Sequence, residues 1–184
     1  MKLIGLHGKA RSGKDTIGKY IEKTHNYSRY AFANPLKKAV QKMFSLSDDE
    51  VKEENKENII ERWGMSFRKM LQLVGTEVAR SLRDDIWIKN AEFKYLHLKW
   101  VEKNIGKDLI KGMIITDVRF ENEAKWIREN GGQVWFVERD CVPENVGVTN
   151  HKSESGIEKQ EGDITITNNS TFELLYQKIN KNLK

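Results

Sequence analysis

Short apolar runs alternate with segments of helical periodicity along most of the chain. The predicted strands cover residues 2–7, 28–32, 109–116, 133–138 and 163–167. The predicted helices cover residues 13–23, 35–44, 66–82, 85–103, 121–130 and 171–182. Strands that alternate with helices favour parallel pairing with helices on both faces. The pattern therefore predicts an α/β fold with a five-stranded parallel sheet.

Local signals support several of these boundaries. Pro35 suits the first turn of a helix, Ser66 suits an N-cap, and the Gly131-Gly132 pair suits a helix end. Gly75 lowers the helix propensity of its segment, so we expect a close approach by another group there. The helix from Ser66 carries an apolar stripe at helical spacing. This stripe consists of Phe67, Met70, Leu71, Val74, Val78 and Leu82.

Two segments, 45–56 and 139–162, are polar and predicted to be irregular, the first as an exposed loop. A length of 184 residues fits a single domain spanning 1–184. The formal net charge of +5 fits either a solvated basic surface or a pocket for polyanions. Nucleic-acid binding is a third option, which usually shows a dense basic run, but the cations here are scattered among nearly as many acids. With Cys141 as the one cysteine and no long apolar stretch, we expect a cytoplasmic protein without an internal disulfide or a membrane span.

The strongest chemical signal is a G-x-x-x-x-G-K motif that directly follows the first predicted strand and opens a helix. Backbone N–H groups of such a loop, together with the helix N-terminus, bind phosphate oxygens. Lys14 is expected to reach the β- and γ-phosphates of ATP. The usual Ser or Thr after the lysine is replaced by Asp15, whose carboxylate can hold Mg²⁺ through water, with Thr16 beside it. The predicted ATP-binding residues are Gly8, Lys9, Ala10, Ser12, Gly13, Lys14, Asp15 and Thr16.

Asp117 follows the buried strand 109–116, and Arg119 lies two residues further on. The carboxyl ends of parallel strands are where open α/β sheets bind ligands. Asp117 could therefore hold Mg²⁺ through water or bind an acceptor, and Arg119 could bind an acceptor phosphate. No N-K-x-D motif is present, and no Glu follows Asp117, so a GTPase and a hydrolytic ATPase are disfavoured.

Other polar residues are weaker candidates. Arg68, Gln72, Thr76 and Arg80 share a helical face, either as a substrate surface or as a solvated one. The segment 139–162 suits a lid that excludes water, with Arg139, His151 and Glu154 within it. Asn168 could lie near adenine, although a simple turn explains it equally well.

Six elements in order resemble the bacteriophage-type deoxynucleoside monophosphate kinases. They are the G-K-D-T loop ending, F-A-N-P-L-K at 32–37, L-Q-L-V-G-T-E at 71–77, D-I-W at 85–87, D-V-R-F-E-N-E at 117–123 and H-K-S-E at 151–154. The resemblance covers nearly the whole chain; one departure is Asn34, where the family often has Asp. It implies an NMP-kinase-like, three-layer P-loop fold, with an acceptor-binding helical insertion at about 35–105 and a lid at about 139–162.

The resemblance also implies Mg-ATP as the donor and a deoxynucleoside 5′-monophosphate as the acceptor. The acceptor-side residues are then Arg68, Gln72, Thr76, Trp87, Asp117, Arg119, His151 and Glu154. Lys14, Arg11, Arg139, Asp15 and Asp117 are the expected catalytic residues.

Two alternatives remain open on the sequence. One is a P-loop kinase for another small acceptor, such as dephospho-coenzyme A or phosphomevalonate. The other is a nucleic-acid-linked ATPase, which only the modest positive charge of the chain supports. The sequence leaves open the accepted bases, the preference for deoxyribose, the arginines that contact the transferred group, and the oligomeric state, a homodimer being one option.

Overall fold

A computed structural model of the protein describes residues 1–106, 109–140 and 156–183. Its strands are β1 (Lys2–His7), β2 (Tyr27–Tyr30), β3 (Ile59–Ile60), β4 (Met65–Ser66), β5 (Gly112–Ile115), β6 (Gln133–Glu138) and β7 (Ile164–Thr167). Its helices are α1 (Lys14–His25), α2 (Ala33–Met43), α3 (Phe67–Gln72), α4 (Ala79–Leu82), α5 (Ile86–Asn104), α6 (Glu121–Glu129) and α7 (Phe172–Leu183). The chain divides into two compact units, Met1–Ala31 with Glu92–Lys184, and Phe32–Ala91.

The first unit is built on one five-stranded sheet in the order β2-β5-β1-β6-β7, and every pairing is parallel. The predicted parallel sheet is therefore confirmed. The bounds of β1 and β6 agree with the prediction, whereas β5 is shorter than predicted, at Gly112–Ile115. All four residues of β5 are buried, as expected for a strand covered on both faces.

Helices cover both faces of this sheet. On one face, Ile4 and Leu6 of β1 share a core with Ile17 of α1 and Leu175 of α7. On the other face, the backbone of Gly5 lies so close to α6 that an added Cβ would be 2.5 Å from the Ile127 Cδ1 atom. Because successive strand residues point to opposite faces, these contacts define a helix–sheet–helix sandwich.

The second unit contains α2, the short β3–β4 hairpin, and the segment from α3 to α4. Its apolar core consists of Leu36, Val40, Leu46, Ile60, Phe67, Met70 and Leu71. The segment 45–56 was predicted to be an exposed loop, and this prediction was wrong at two points, because Leu46 is buried and residues Glu53–Asn55 form a 3₁₀ turn. Leu46 is apolar, and this core buries it.

The predicted helix 66–82 begins as expected, because the Ser66 hydroxyl accepts a hydrogen bond from the Lys69 N–H at 3.3 Å. It then passes through a π-helical segment, Leu73–Val78, before α4. Val78 and Leu82 are 53% and 81% exposed, so the predicted apolar stripe does not extend to them. The wider π-helical turn changes the spacing on which that stripe was based.

Gly75 lies inside this π-helical segment. A Cβ there would be 2.4 Å from Leu36 Cδ2 of α2, which confirms the predicted close approach. The indole N–H of Trp87 donates a hydrogen bond to the Gly75 carbonyl at 3.0 Å. Among the described residues, no helix has the length and hydropathy needed to cross a membrane.

Candidate active site

The phosphate loop connects the carboxyl end of β1, at the centre of the sheet, to α1. Gly8 and Gly13 have φ angles of +152° and +104°, and Arg11 also has a positive φ, of +61°. A Cβ on Gly8 would lie 2.3 Å from the Val137 carbonyl oxygen of β6, so any larger residue at this position would clash with the backbone of β6. These conformations curl the loop against the ends of its neighbouring strands.

Lys14 lies within the curl. Its Nζ donates to the carbonyl oxygens of Gly8 and Lys9, each at 2.6 Å, and lies 3.5 Å from the Ser12 hydroxyl. Ser12 itself is buried, and its N–H donates to the Lys9 carbonyl. The loop therefore gathers a cation and the N-terminus of a twelve-residue helix at one point, which suits binding of a phosphate group.

The loop is also held by side chains from outside the motif. Asn168, just after β7, donates from Nδ2 to the Ser12 carbonyl at 2.9 Å, and its own N–H donates to the Glu138 carbonyl at 2.7 Å. Asn169 exchanges two hydrogen bonds with Asp140. The structure thus gives both asparagines a role in fixing the rim of the site. A contact of Asn168 with adenine stays a prediction.

Asp117 and Arg119 follow β5 at the same edge of the sheet. Between them, the Val118 N–H donates to the Leu6 carbonyl of β1 at 3.1 Å. The buried Glu123 carboxylate accepts hydrogen bonds from the N–H groups of Arg119 and Phe120 at 2.9 and 3.2 Å. Glu123, the last residue of the D-V-R-F-E-N-E element, therefore holds this segment in place through its hydrogen bonds.

The carboxylate of Asp117 also acts on a neighbouring strand end. Burial, and then the negative charge of Asp117, raises the pKa of Tyr30 to about 12. Tyr30 ends β2, and its carbonyl accepts a hydrogen bond from the Thr116 N–H at 3.0 Å. The Tyr30 hydroxyl therefore keeps its proton even at alkaline pH, where an ordinary tyrosine begins to lose it.

Sequence patterns did not indicate His7, the last residue of β1. Its Nδ1 lies 2.9 Å from the Val118 carbonyl oxygen, and its ring meets Phe136 edge-on at a centroid distance of 5.2 Å. Burial lowers the pKa of His7, and the positive charges of Lys14 and Arg119 lower it further. The available signal was its position directly before Gly8 at a strand end.

A cleft of about 340 Å³ opens beside the loop. It is lined by His7, Gly8, Lys9, Ser12, Phe136, Val137, Glu138, Arg139 and Asp140. The cleft thus brings together Lys9, predicted to bind ATP, and Arg139, predicted as a catalytic residue of the lid segment. The cleft therefore offers an anion both backbone and side-chain donors.

The residues predicted to hold magnesium lie at the start of α1, where Asp15 is exposed and Thr16 is half-buried. Among the described residues, no group of three or more His, Cys, Asp or Glu side chains could hold a metal by themselves. Magnesium usually binds one or two carboxylates plus substrate phosphates and waters, so the carboxylate of Asp15 and the hydroxyl of Thr16 fit it.

In the second unit, Arg68 forms an ion pair with Glu57 while its side chain stays largely buried. Gln72, four residues later in α3, shares its face, but the π-helical segment changes the spacing to Thr76 and Arg80. The indole N–H of Trp87 donates to the Gly75 carbonyl within this unit. His151 and Glu154 lie outside the described residues, as does most of the segment 139–162.

Comparison with known proteins connects this geometry to a family. A sequence model described as deoxynucleotide monophosphate kinase matches residues 2–62 and 42–179. A putative deoxynucleotide monophosphate kinase of Acanthamoeba polyphaga mimivirus is 36% identical over 97% of this chain and 94% of that protein. The deoxynucleoside-5′-monophosphate kinase of Escherichia phage T5 is 29% identical over 84% of each chain. The solved structure of TT1252 from Thermus thermophilus shares the fold, with a TM-score of 0.50 and 14% identity over 99% of this chain and 96% of that one.

Proposed function

The chain belongs to the deoxynucleotide monophosphate kinase family, and we propose that it transfers the γ-phosphoryl group of ATP to a deoxynucleoside 5′-monophosphate. The observation that carries this proposal is the phosphate loop, with Lys14 drawn into it by the Gly8 and Lys9 carbonyls. The loop shares one edge of the sheet with Asp117 and Arg119. This juxtaposition supports a donor phosphate and an acceptor phosphate meeting at that edge.

On the donor side, the backbone of the loop and the N-terminus of α1 would bind the β- and γ-phosphates of ATP. When those oxygens arrive, the Lys14 ammonium exchanges carbonyl partners for phosphate ones and neutralises charge as the phosphoryl group moves. Asp15 and Thr16 would hold Mg²⁺, which adds positive charge beside the phosphates. No covalent intermediate is needed, because positioning and electrostatic stabilisation supply most of the rate in such transfers.

On the acceptor side, Arg119 would bind the monophosphate through a charge-assisted hydrogen bond, and Asp117 would contact the acceptor or the metal through water. Arg11 and Arg139 would add positive charge around the transferred group. For Arg68, Gln72, Thr76 and Trp87, the proposal of a role in acceptor binding rests on the family resemblance. A guanidinium suits phosphate, and an amide both donates to and accepts from a base edge.

We further propose that the chain works as one kinase domain in the cytoplasm. Its partners would be small nucleotides rather than nucleic acid, because no dense basic run is present. This predicts weak binding to DNA at physiological salt, and tight, salt-sensitive DNA binding would contradict it.

A coupled ADP-release assay tests the function. Each of the four common deoxynucleoside monophosphates is offered with Mg-ATP, with the matching ribonucleotides beside them. The proposal predicts turnover that depends on at least one deoxynucleotide and is lost in Lys14→Met, whose fold is checked by circular dichroism. ATP binding without any acceptor-dependent turnover would contradict the assigned acceptor class, and wild-type turnover in Lys14→Met would contradict the phosphate-loop assignment.

A further inference from the structure

His7 joins two parts of the site that the sequence motifs treat separately. It is the last residue of β1, directly before the phosphate loop, and its Nδ1 lies 2.9 Å from the Val118 carbonyl oxygen. A carbonyl oxygen can only accept a hydrogen bond, so Nδ1 must carry the proton. The bond therefore selects the Nδ1–H form of the imidazole.

The surroundings keep the ring neutral at pH 7. Burial is the main cause that lowers the pKa of His7 below its ordinary value of 6.5, and Lys14 and Arg119 add to this effect. The bond to Val118 and the negative charge of Glu121 oppose it without reversing it. From β6, His7 meets the uncharged ring of Phe136. A neutral ring with its proton on Nδ1 leaves Nε2 as an acceptor.

The partner of His7 is the peptide between the two acceptor-side candidates. Val118 is buried, its N–H donates to the Leu6 carbonyl at 3.1 Å, and its carbonyl accepts from His7. Both backbone groups of Val118 are thus bonded to β1. Glu123 accepts from the next two N–H groups, so the backbone is held at Val118, Arg119 and Phe120, directly after Asp117.

We propose that His7 is a positioning residue, whose Nδ1–H bond to the Val118 carbonyl holds Asp117 and Arg119 at a fixed distance from the phosphate loop. His7 touches neither phosphate in this role. The role rests on the proposed function, since that function assigns Asp117 and Arg119 to the acceptor. Misplacement of reacting groups by about 1 Å can cost about 100-fold in rate, so the effect of losing the bond is measurable.

Two substitutions at His7 separate the hydrogen bond from the packing. His7→Phe keeps a ring against Phe136 but removes the donor, whereas His7→Asn places an amide N–H near the position of Nδ1. We expect His7→Phe to lower kcat about tenfold or more, with the KM for ATP nearly unchanged, and His7→Asn to recover most of that loss. His97→Phe is the matched control, because His97 is exposed and its ring stacks on Trp100.

Wild-type kinetics in His7→Phe, or an Asn variant as impaired as the Phe variant, would overturn the proposal. A second measurement needs no activity at all. Nitrogen-15 NMR of the nucleotide-free protein should show His7 as a neutral Nδ1–H ring at pH 7, assigned by its loss in His7→Asn. An Nε2–H ring would overturn the proposal even if His7→Phe failed to fold. If no deoxynucleotide were phosphorylated while the Nδ1–H ring was observed, the proposed function would fail and the geometry of His7 would stand.

Discussion

Replacing Gly13 by alanine introduces a methyl group at a crowded point of the phosphate loop. Gly13 has φ +104° and ψ +11°, and an added Cβ would lie 2.3 Å from the Asn168 Nδ2 atom. That nitrogen donates to the Ser12 carbonyl at 2.9 Å. Alanine at this position must therefore adopt a disfavoured backbone conformation and also displace the amide that holds the loop.

The magnitude follows from these two effects. A non-glycine residue in such a region costs about 1–3 kcal/mol. Loss of the hydrogen bond between Asn168 and Ser12 adds about 1 kcal/mol. Gly131→Ala is the matched control in the same unit, because Gly131 has φ +73° but nothing within 4 Å of an added Cβ. Gly131→Ala should lower the free energy of unfolding only by the backbone strain, about 1–2 kcal/mol. Gly13→Ala should therefore lower it by about 1–2 kcal/mol more than Gly131→Ala does.

The assay is guanidinium unfolding followed by circular dichroism, with ATP affinity measured by titration calorimetry. We expect Gly13→Ala to weaken ATP binding about tenfold or more, since the loop N–H groups no longer converge on the phosphates, and Gly131→Ala to leave it unchanged. In an Asn168→Ala background, the extra cost of Gly13→Ala should fall by about 1 kcal/mol. Equal destabilisation by the two glycine substitutions, or strict additivity with Asn168→Ala, would refute this reasoning.

Two further predictions concern charged residues. Arg119→Ala should raise the KM for the acceptor about tenfold or more and leave the KM for ATP unchanged, because it removes a charge-assisted hydrogen bond to the acceptor phosphate. The control Arg62→Ala, which removes a surface ion pair with Glu50, should change neither KM. An unchanged acceptor KM in Arg119→Ala would show that Arg119 is not part of the site. Asp163→Asn should lower the free energy of unfolding by about 3 kcal/mol, because it breaks a 2.7 Å ion pair with Arg128 in which the Asp163 side chain is only 2% exposed. Although burial opposes the shift, hydrogen bonds from Arg128 and from the Gln160 backbone hold the pKa of Asp163 below its ordinary 3.8. Its stabilisation is thus fully present above about pH 4 and is lost as the pH falls further, so the wild type should lose more stability than Asp163→Asn between pH 5 and pH 3; parallel pH profiles would contradict this.

The sheet and the phosphate loop could be predicted from the sequence because their signals are local. The strands 2–7 and 133–138 are short apolar runs bounded by glycines or charged residues, and their bounds agree with β1 and β6. The glycines of the loop indicate positive φ angles, and the structure gives those angles at Gly8 and Gly13. Parallel pairing then followed from the alternation of strands with helices.

The parts that could not be predicted depend on contacts between residues distant in sequence. A periodicity of 3.6 residues cannot indicate the π-helical turn at Leu73–Val78, which leaves Val78 and Leu82 exposed. His7 and Asn168 gain their partners, Val118 and Ser12, only when separate strand ends meet. Likewise, the indole of Trp87 donates to Gly75, a contact that no motif encodes.

The most direct test of the proposed function follows the phosphoryl group itself. The protein is incubated with Mg-ATP labelled at the γ-phosphate and a deoxynucleoside monophosphate, and the products are separated by chromatography. The account predicts that the label moves to the β-phosphate of the deoxynucleoside diphosphate, and that Lys14→Met forms none. Label recovered only as inorganic phosphate, at the same rate with and without the acceptor, would contradict a kinase and indicate an ATPase.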